Sequence, residues 1–264
     1  MLALSMAQTN SYIYGRHALV EALQYAPKAL RKVFLAPQFA DEELTALIRK
    51  AGIQVTPIAG GKMPAGAEKE DVRQGIIGLL APENILRSYK EFADSLKVGP
   101  GTSLVLLDEL QDPHNVGAII RSAAAFGVSG ILLPEHNQSP ITGTVIKVSA
   151  GMAFRVPLVT VANVNSTLRD LKERGFWIYG LDMNQDHSTA TEKFDAPAIF
   201  VMGNEAKGIR QKTLELCDII LSIPMSPRCE SLNVAASTAV TLYAWSLQHP
   251  EALRLEAPYS KAPQ

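Results

Sequence analysis

"SLVLLDELQDPHNVGAIIRSAAAFGVSGILLP", residues 103–134, decides the architecture. It opens on a continuous apolar run, the pattern of a strand covered on both faces. Residues 115–127, "NVGAIIRSAAAFG", keep a helical pattern and stop at Gly127, a residue suited to closing a helix. "GILLP", 130–134, is a second apolar run of strand length. Parallel strands need such a crossover, so the stretch predicts a parallel α/β sheet with helices on its faces.

The same alternation runs on toward the carboxyl end. "ITGTVIKVSAGMA" reads as helical, "RVPLVTV" as a strand, "VNSTLRDLKERG" as a helix and "FWIYGLD" as a strand. "AIFVMGNE" is a strand running into a helix, "AKGIRQKTLELC"; "IILSIPM" is the next strand and "LNVAASTAVTLYAWSLQ" the last helix. Toward the amino end, "YIYGRHALVEALQY" is a short strand broken by Gly15 and followed by a helix. "KVFLA", "IQVTPI" and "GIIGLLA" read as strands, with "DEELTALIRKAG" as a helix carrying acids at its start and Lys50 at its end. Residues 59–71 are loose and rich in Gly and Ala. A linker is placed over 83–100 because of its mixed charge and "VGPG" turn signal, with a short helix near Tyr89–Leu96. The expected division is a small α/β domain over 10–82, a larger one over 101–250, and tails at 1–9 and 251–264.

Of 264 residues, 47% are hydrophobic and 19% charged, an ordinary globular composition, and no apolar run approaches the ~20 residues of a membrane span. The opening residues lack a secretory signal's charged start, which points to a cytoplasmic chain with reduced thiols. Two cysteines, Cys217 and Cys229, provide no metal-binding spacing, and Cys217 lies in an apolar-periodic stretch. Net charge is −1, with 25 basic against 26 acidic residues, so bulk charge does not attract nucleic acid. An RNA partner must be recognised by local patches and shape.

Three strand-to-helix junctions carry polar groups beyond what a turn needs. They are "LDELQDPHNVGAIIRSAAAFG" at 107–127, "VMGNEAKGIR", and "IPMSPRCESLNVAASTAV" at 223–240. In open α/β sheets ligands sit at such carboxyl-end loops. Neither GxGxxG nor GxxxxGK occurs in them, which disfavours a nicotinamide or P-loop nucleotide site. Each polar residue also has a plain reading. Asn115, Ser231 and Asn233 are capable helix caps, and Glu205 suits a helix amino end. Arg121 lies inside an apolar helical stretch, where a charge is costly unless paired. Lys147 and Arg155 read as surface residues, and the five histidines take no role.

In this order the three junctions resemble the SpoU class of the SPOUT superfamily, RNA ribose 2′-O-methyltransferases. The likeness rests on Asn115 with Arg121 six residues on, Gly203–Glu205–Gly208, and Ile223–Pro224–Met225 followed by Ser231–Leu232–Asn233–Val234. It spans residues 103–246. "YGRHALVEAL" and "RQGIIGLLAP" are similar to the amino-terminal RNA-binding domain of bacterial members that modify a ribosomal guanosine, a domain like the ribosomal L30e fold. The resemblance implies a trefoil-knotted catalytic domain that dimerises and S-adenosylmethionine as cofactor, with no metal. It implies that Gly203, Ile223, Met225 and Leu232 touch the cofactor, and that Asn115, Arg121, Glu205, Ser231 and Asn233 form the catalytic set. Structured RNA, ribosomal RNA foremost, is the implied partner. Two departures stand out: Ala206 where the family pattern has Gly, and Ser226–Pro227–Arg228 where it has a glycine. A tRNA ribose methyltransferase and a non-catalytic RNA-binding or ribosome-assembly factor on the same fold remain open alternatives.

Overall fold

The computed structural model describes residues 10–58, 64, 66–67, 75–182 and 187–254; the expected tail at 1–9 and most of the loose stretch at 59–71 lie outside them. Strand β1 (Tyr12–Tyr14) ends at Gly15, whose φ of 84° turns the chain into α1 (Arg16–Tyr25). Then follow β2 (Leu30–Leu35), α2 (Glu42–Lys50), β3 (Gln54–Pro57) and β4 (Ile76–Leu80). The four strands form one sheet in the order β1-β4-β2-β3. Asp41 caps α2 by accepting the Leu44 amide at 2.9 Å. Glu42 and Glu43 sit in its first turn and Arg49 and Lys50 in its last, each sign matched to the helix dipole.

The second sheet has eight strands, all parallel among the described residues. They are β5 (Leu86–Ser88), β6 (Ser103–Asp108), β7 (Gly130–Pro134), β8 (Leu158–Val161), β9 (Trp177–Leu181), β10 (His187–Ser188), β11 (Ala198–Gly203) and β12 (Ile219–Ser222). Their order is β10-β12-β9-β11-β6-β7-β8-β5. The helices between are α3 (Tyr89–Ser95), α4 (Pro113–Ala125), α5 (Gly143–Val148), α6 (Val164–Glu173), α7 (Gln211–Leu214) and α8 (Val234–Gln248). Successive side chains of a strand point to opposite faces. Val105 and Leu107 of β6 pack in one core with Ile119 and Ile120 of α4 and Leu242 and Trp245 of α8. Leu104 and Leu106 pack in another with Phe92 of α3 and Leu168 and Leu171 of α6. Both faces are covered, which is why β6 reads as unbroken apolar sequence.

Several details differ from the sequence reading. The stretch read as a linker holds the expected short helix, α3, but also supplies β5, the edge strand paired with β8 through Leu86 and Leu158. Phe92 of α3 packs so closely on Gly130 that a Cβ there would come within 2.6 Å of the ring. The helix read over "AKGIRQKTLELC" is only the four residues of α7, because residues 204–210 close a tight turn instead. The strand read as "IILSIPM" stops at Ser222, so Ile223–Met225 leave the sheet. The two-residue β10 carries too little pattern to be seen in sequence.

The two sheets are joined by close backbone contacts. A Cβ at Gly143 would meet the Tyr12 carbonyl oxygen at 1.9 Å, and one at Gly151 would meet Glu21 Cγ at 2.8 Å. The Gly143 amide donates to Ser11 Oγ at 3.0 Å. Arg155, read as a surface residue, instead donates to both carboxylate oxygens of buried Glu21 at 2.6 and 2.7 Å, and lies 4.0 Å over the Tyr25 ring.

Candidate active site

At the carboxyl ends of β6, β11 and β12 the three polar junctions converge. Asn115, Gly203, Glu205, Ile223, Met225, Ser231, Leu232 and Asn233 line a single cavity of about 1000 Å³. Eight of the nine residues singled out from sequence therefore share one site.

The first two junctions are tied by a hydrogen bond, Asn115 Nδ2 donating to Glu205 Oε1 at 3.0 Å. Glu205 is held there by the turn beneath it. Asn204 and Gly208 exchange both backbone hydrogen bonds, at 3.0 and 2.9 Å, and Gly208 has φ +70°. Asn204 Oδ1 accepts the Ala206 and Lys207 amides at 3.0 and 3.2 Å, while its Nδ2 donates to the Glu109 carbonyl at 2.8 Å. Gly203 is required by packing: a Cβ there would lie 2.3 Å from the Ile209 nitrogen. Ala206 keeps φ out of the left-handed region, so this turn holds its shape without a glycine at that position.

An ion pair between buried Asp108 and exposed Arg210 fixes the turn from below. Asp108, fully buried at the end of β6, accepts the Arg210 amide at 3.0 Å and its Nε at 2.8 Å. Arg210 also donates to Glu109 Oε1 at 2.9 Å. A carboxylate without solvent is tolerable only when so bonded. Sequence reasoning did not find Asp108, Asn204 or Arg210. The one available signal was an acid closing a wholly apolar strand.

In the third junction, Met225 and Leu232 stay more than a third exposed. They give the cavity an apolar wall beside the polar loop. Asn233 Oδ1 accepts the Ala236 amide at 2.7 Å and so caps α8. Cys229 Sγ donates to the Ser231 carbonyl at 3.2 Å. This mix of apolar surface and a few placed polar groups is what small-molecule sites present.

Arg121 does not line the cavity. It is exposed on α4 and makes no hydrogen bond or ion pair among the described residues. Its place inside an apolar helical stretch suggests a buried charge. The buried stripe of α4 is instead Val116, Gly117, Ile119, Ile120 and Ala123, which leaves residue 121 on the outer face. Among the described residues, no group of three or more His, Cys, Asp or Glu side chains is placed to hold a metal ion. No helix among them is long and apolar enough to cross a membrane.

Comparison with known proteins identifies the family. The SpoU rRNA Methylase family model matches residues 102–243. A model described as RNA 2'-O ribose methyltransferase substrate binding matches residues 12–86. The chain is 36% identical over 238 residues to the 23S rRNA (guanosine-2'-O-)-methyltransferase RlmB of Escherichia coli, covering 89% of this chain and 97% of that one. The protein of the same name from Pseudomonas putida is 31% identical over 234 residues, with 88% and 94% covered. The fold is shared with the SpoU methyltransferase AviRb from Streptomyces viridochromogenes, solved in complex with AdoMet, at a TM-score of 0.75, 20% identity and 92% of each chain. The A. aeolicus TrmH/SpoU tRNA modifying enzyme matches at a TM-score of 0.52 and 27% identity over 61% of this chain and 82% of that one. On both family models and full-length relatives, the chain belongs to the SpoU rRNA methylase family.

Proposed function

We propose that this protein transfers a methyl group from S-adenosylmethionine to a ribose 2′-hydroxyl of ribosomal RNA, on a guanosine of the large-subunit RNA. The observation that carries the reading is the convergence of eight motif residues on one cavity, with Asn115 bonded to Glu205 across it. The cavity suits the cofactor: Met225 and Leu232 offer apolar surface to a flat base, and Gly203 leaves the strand end without a side chain. When bound, S-adenosylmethionine supplies a methyl carbon already activated by its sulfonium. The chain's own task is then alignment of the ribose. Asn115, Ser231 and Asn233 line that cavity and position the ribose, and Glu205 beside them is the one of these four candidates whose carboxylate can take up the proton. Arg121 is better suited to grip an RNA phosphate than to act as a base, because a guanidinium stays protonated in proteins.

Substrate choice follows the amino-terminal domain. The ribosomal RNA enzyme of Escherichia coli matches 89% of this chain, amino-terminal domain included, whereas the tRNA modifying structure matches 61% of it. The non-catalytic alternative rested on Ala206 and the Ser226–Pro227–Arg228 loop. None of these residues has a positive φ, so neither departure needs a glycine's backbone freedom. Four finer features complete the proposal. The catalytic domain is a trefoil knot, supported by β11 lying between β6 and β9 and by α8 returning from β12 to pack on α4. The amino-terminal domain, residues 10–82, is of L30e type and docks structured RNA. The protein is a homodimer through the exposed stripe Val240, Tyr243 and Leu247 of α8. It works in the cytoplasm, where ribosomal RNA is.

Mass-spectrometric mapping of 2′-O-methyls in RNA from a deletion strain tests the activity. One 2′-O-methylguanosine of the large-subunit RNA should vanish and return on complementation. Unchanged ribosomal RNA, with a tRNA position lost instead, overturns the substrate assignment.

A further inference from the structure

A second large cavity, about 890 Å³, opens between the two sheets. Its walls come from Tyr12 and Tyr14 of β1, from the end of β7 at Glu135, and from the loop into α5. It shares the first turn of α4 with the catalytic cavity: His114 lines one and Asn115 the other. A ribose held at Asn115 therefore has this cleft as a neighbour, and the nucleotide's base needs a place to go.

Resting on the ribosomal guanosine reading, we propose that this cleft receives the target nucleotide's base, extruded from the RNA, and that Glu135 selects guanine. Glu135 is the one acid among the lining residues, is exposed, and makes no side-chain hydrogen bond or ion pair among the described residues. Guanine alone among the four bases presents two adjacent donors, N1–H and N2–H₂, on its pairing edge. An ionised carboxylate is acceptor-only with two oxygens, and so matches that pair. Adenine and cytosine each set an acceptor beside their one donor, and uracil flanks its donor with two acceptors, so each meets the carboxylate with a lone-pair clash. Tyr14, half-buried at the end of β1, supplies aromatic surface of the kind that holds an extruded base. Gln138 borders the cleft and is fixed there, its Oε1 accepting the Leu110 amide at 3.0 Å.

The experiment is single-turnover methyl transfer by the full-length protein to an RNA fragment carrying guanosine, inosine or adenosine at the mapped position. Inosine keeps N1–H and lacks the N2 amino group. Wild type should favour guanosine over inosine by about 10-fold, one hydrogen bond to a charged group. Glu135→Gln should lose about 10- to 100-fold on guanosine and nearly all guanosine-over-inosine preference, with an unchanged melting temperature and S-adenosylmethionine affinity. A variant that keeps the wild-type rate and preference overturns the proposal. Transfer to no RNA by the wild type overturns the functional reading instead. In that case GMP and IMP binding to the full chain, followed by NMR, decides the cleft: preference for GMP lost in Glu135→Gln supports it, and equal binding by the wild type overturns it.

Discussion

Asn233 has a place that suits two roles. Its Oδ1 caps α8 through the Ala236 amide, and the same residue lines the candidate cavity. Asn233→Ala should cost about 1 kcal/mol of stability as a lost cap, together with a fall in rate. Asn233→Asp separates the two roles. The carboxylate still caps, so urea denaturation should give wild-type stability, while loss of the Nδ2 donor should slow single-turnover transfer about 100-fold. Arg121 is argued as a clamp. Arg121→Lys keeps charge and loses the guanidinium fork. It should retain part of the activity with an unchanged pH–rate shape and cofactor affinity; an acid-ward shift of the alkaline limb would make Arg121 the base. The cysteines give a third test. Burial pushes the Cys217 thiol up to about 12, so it stays protonated at pH 8, whereas Cys229 is exposed in the cavity wall. Iodoacetamide should label Cys229 alone, and S-adenosylmethionine should slow that labelling. The cavity-lining motif residues were legible because each junction is local in sequence. Asp108 and Arg210 were not, because they lie 102 positions apart and each reads alone as an ordinary charge.

Strands and helices were legible where their period was long and their ends were punctuated. α2 shows it best, with Asp41 as cap, acids first and bases last. The errors fall where side-chain and backbone bonds displace propensity. Residues 206–210 look helical in sequence, yet the Asn204 side chain and the exchange with Gly208 close a turn first. β5 was read as part of a connector because three residues with two exposed positions carry no period. Gly203 is the element-scale test of the site. The atoms its Cβ would strike belong to the backbone of Gly208 and Ile209, which cannot rotate away. Gly203→Ala should lower stability by about 1–3 kcal/mol and abolish measurable S-adenosylmethionine binding by calorimetry. Wild-type affinity in that variant would mean that the turn relaxes freely.

The whole molecule is organised by long-range pairing. Because β5 and α3 belong to the large sheet, a catalytic fragment begins before residue 86. Residues 82–264 should fold, bind S-adenosylmethionine and lose most activity on RNA, whereas 99–264 should melt lower and aggregate, its Phe92 anchor having been removed. Equal melting temperatures for the two fragments would show β5 and α3 to be dispensable. The clasp of Glu21 on Arg155, with Gly143 and Gly151 at the contact, joins residues more than a hundred positions apart, and neither end of such a pair marks itself in sequence. The strand order carries a cost in time as well as in space. β6 pairs on one side with β7, made soon after it, and on the other with β11, which begins only at Ala198. At about 5–20 residues per second, the ribosome needs roughly 5–20 s to deliver that partner. For that interval an unbroken apolar strand, "SLVLLD", offers an open edge to any neighbouring nascent chain. The yield of active protein should therefore depend on translation speed and on holdase chaperones more than its finished stability suggests.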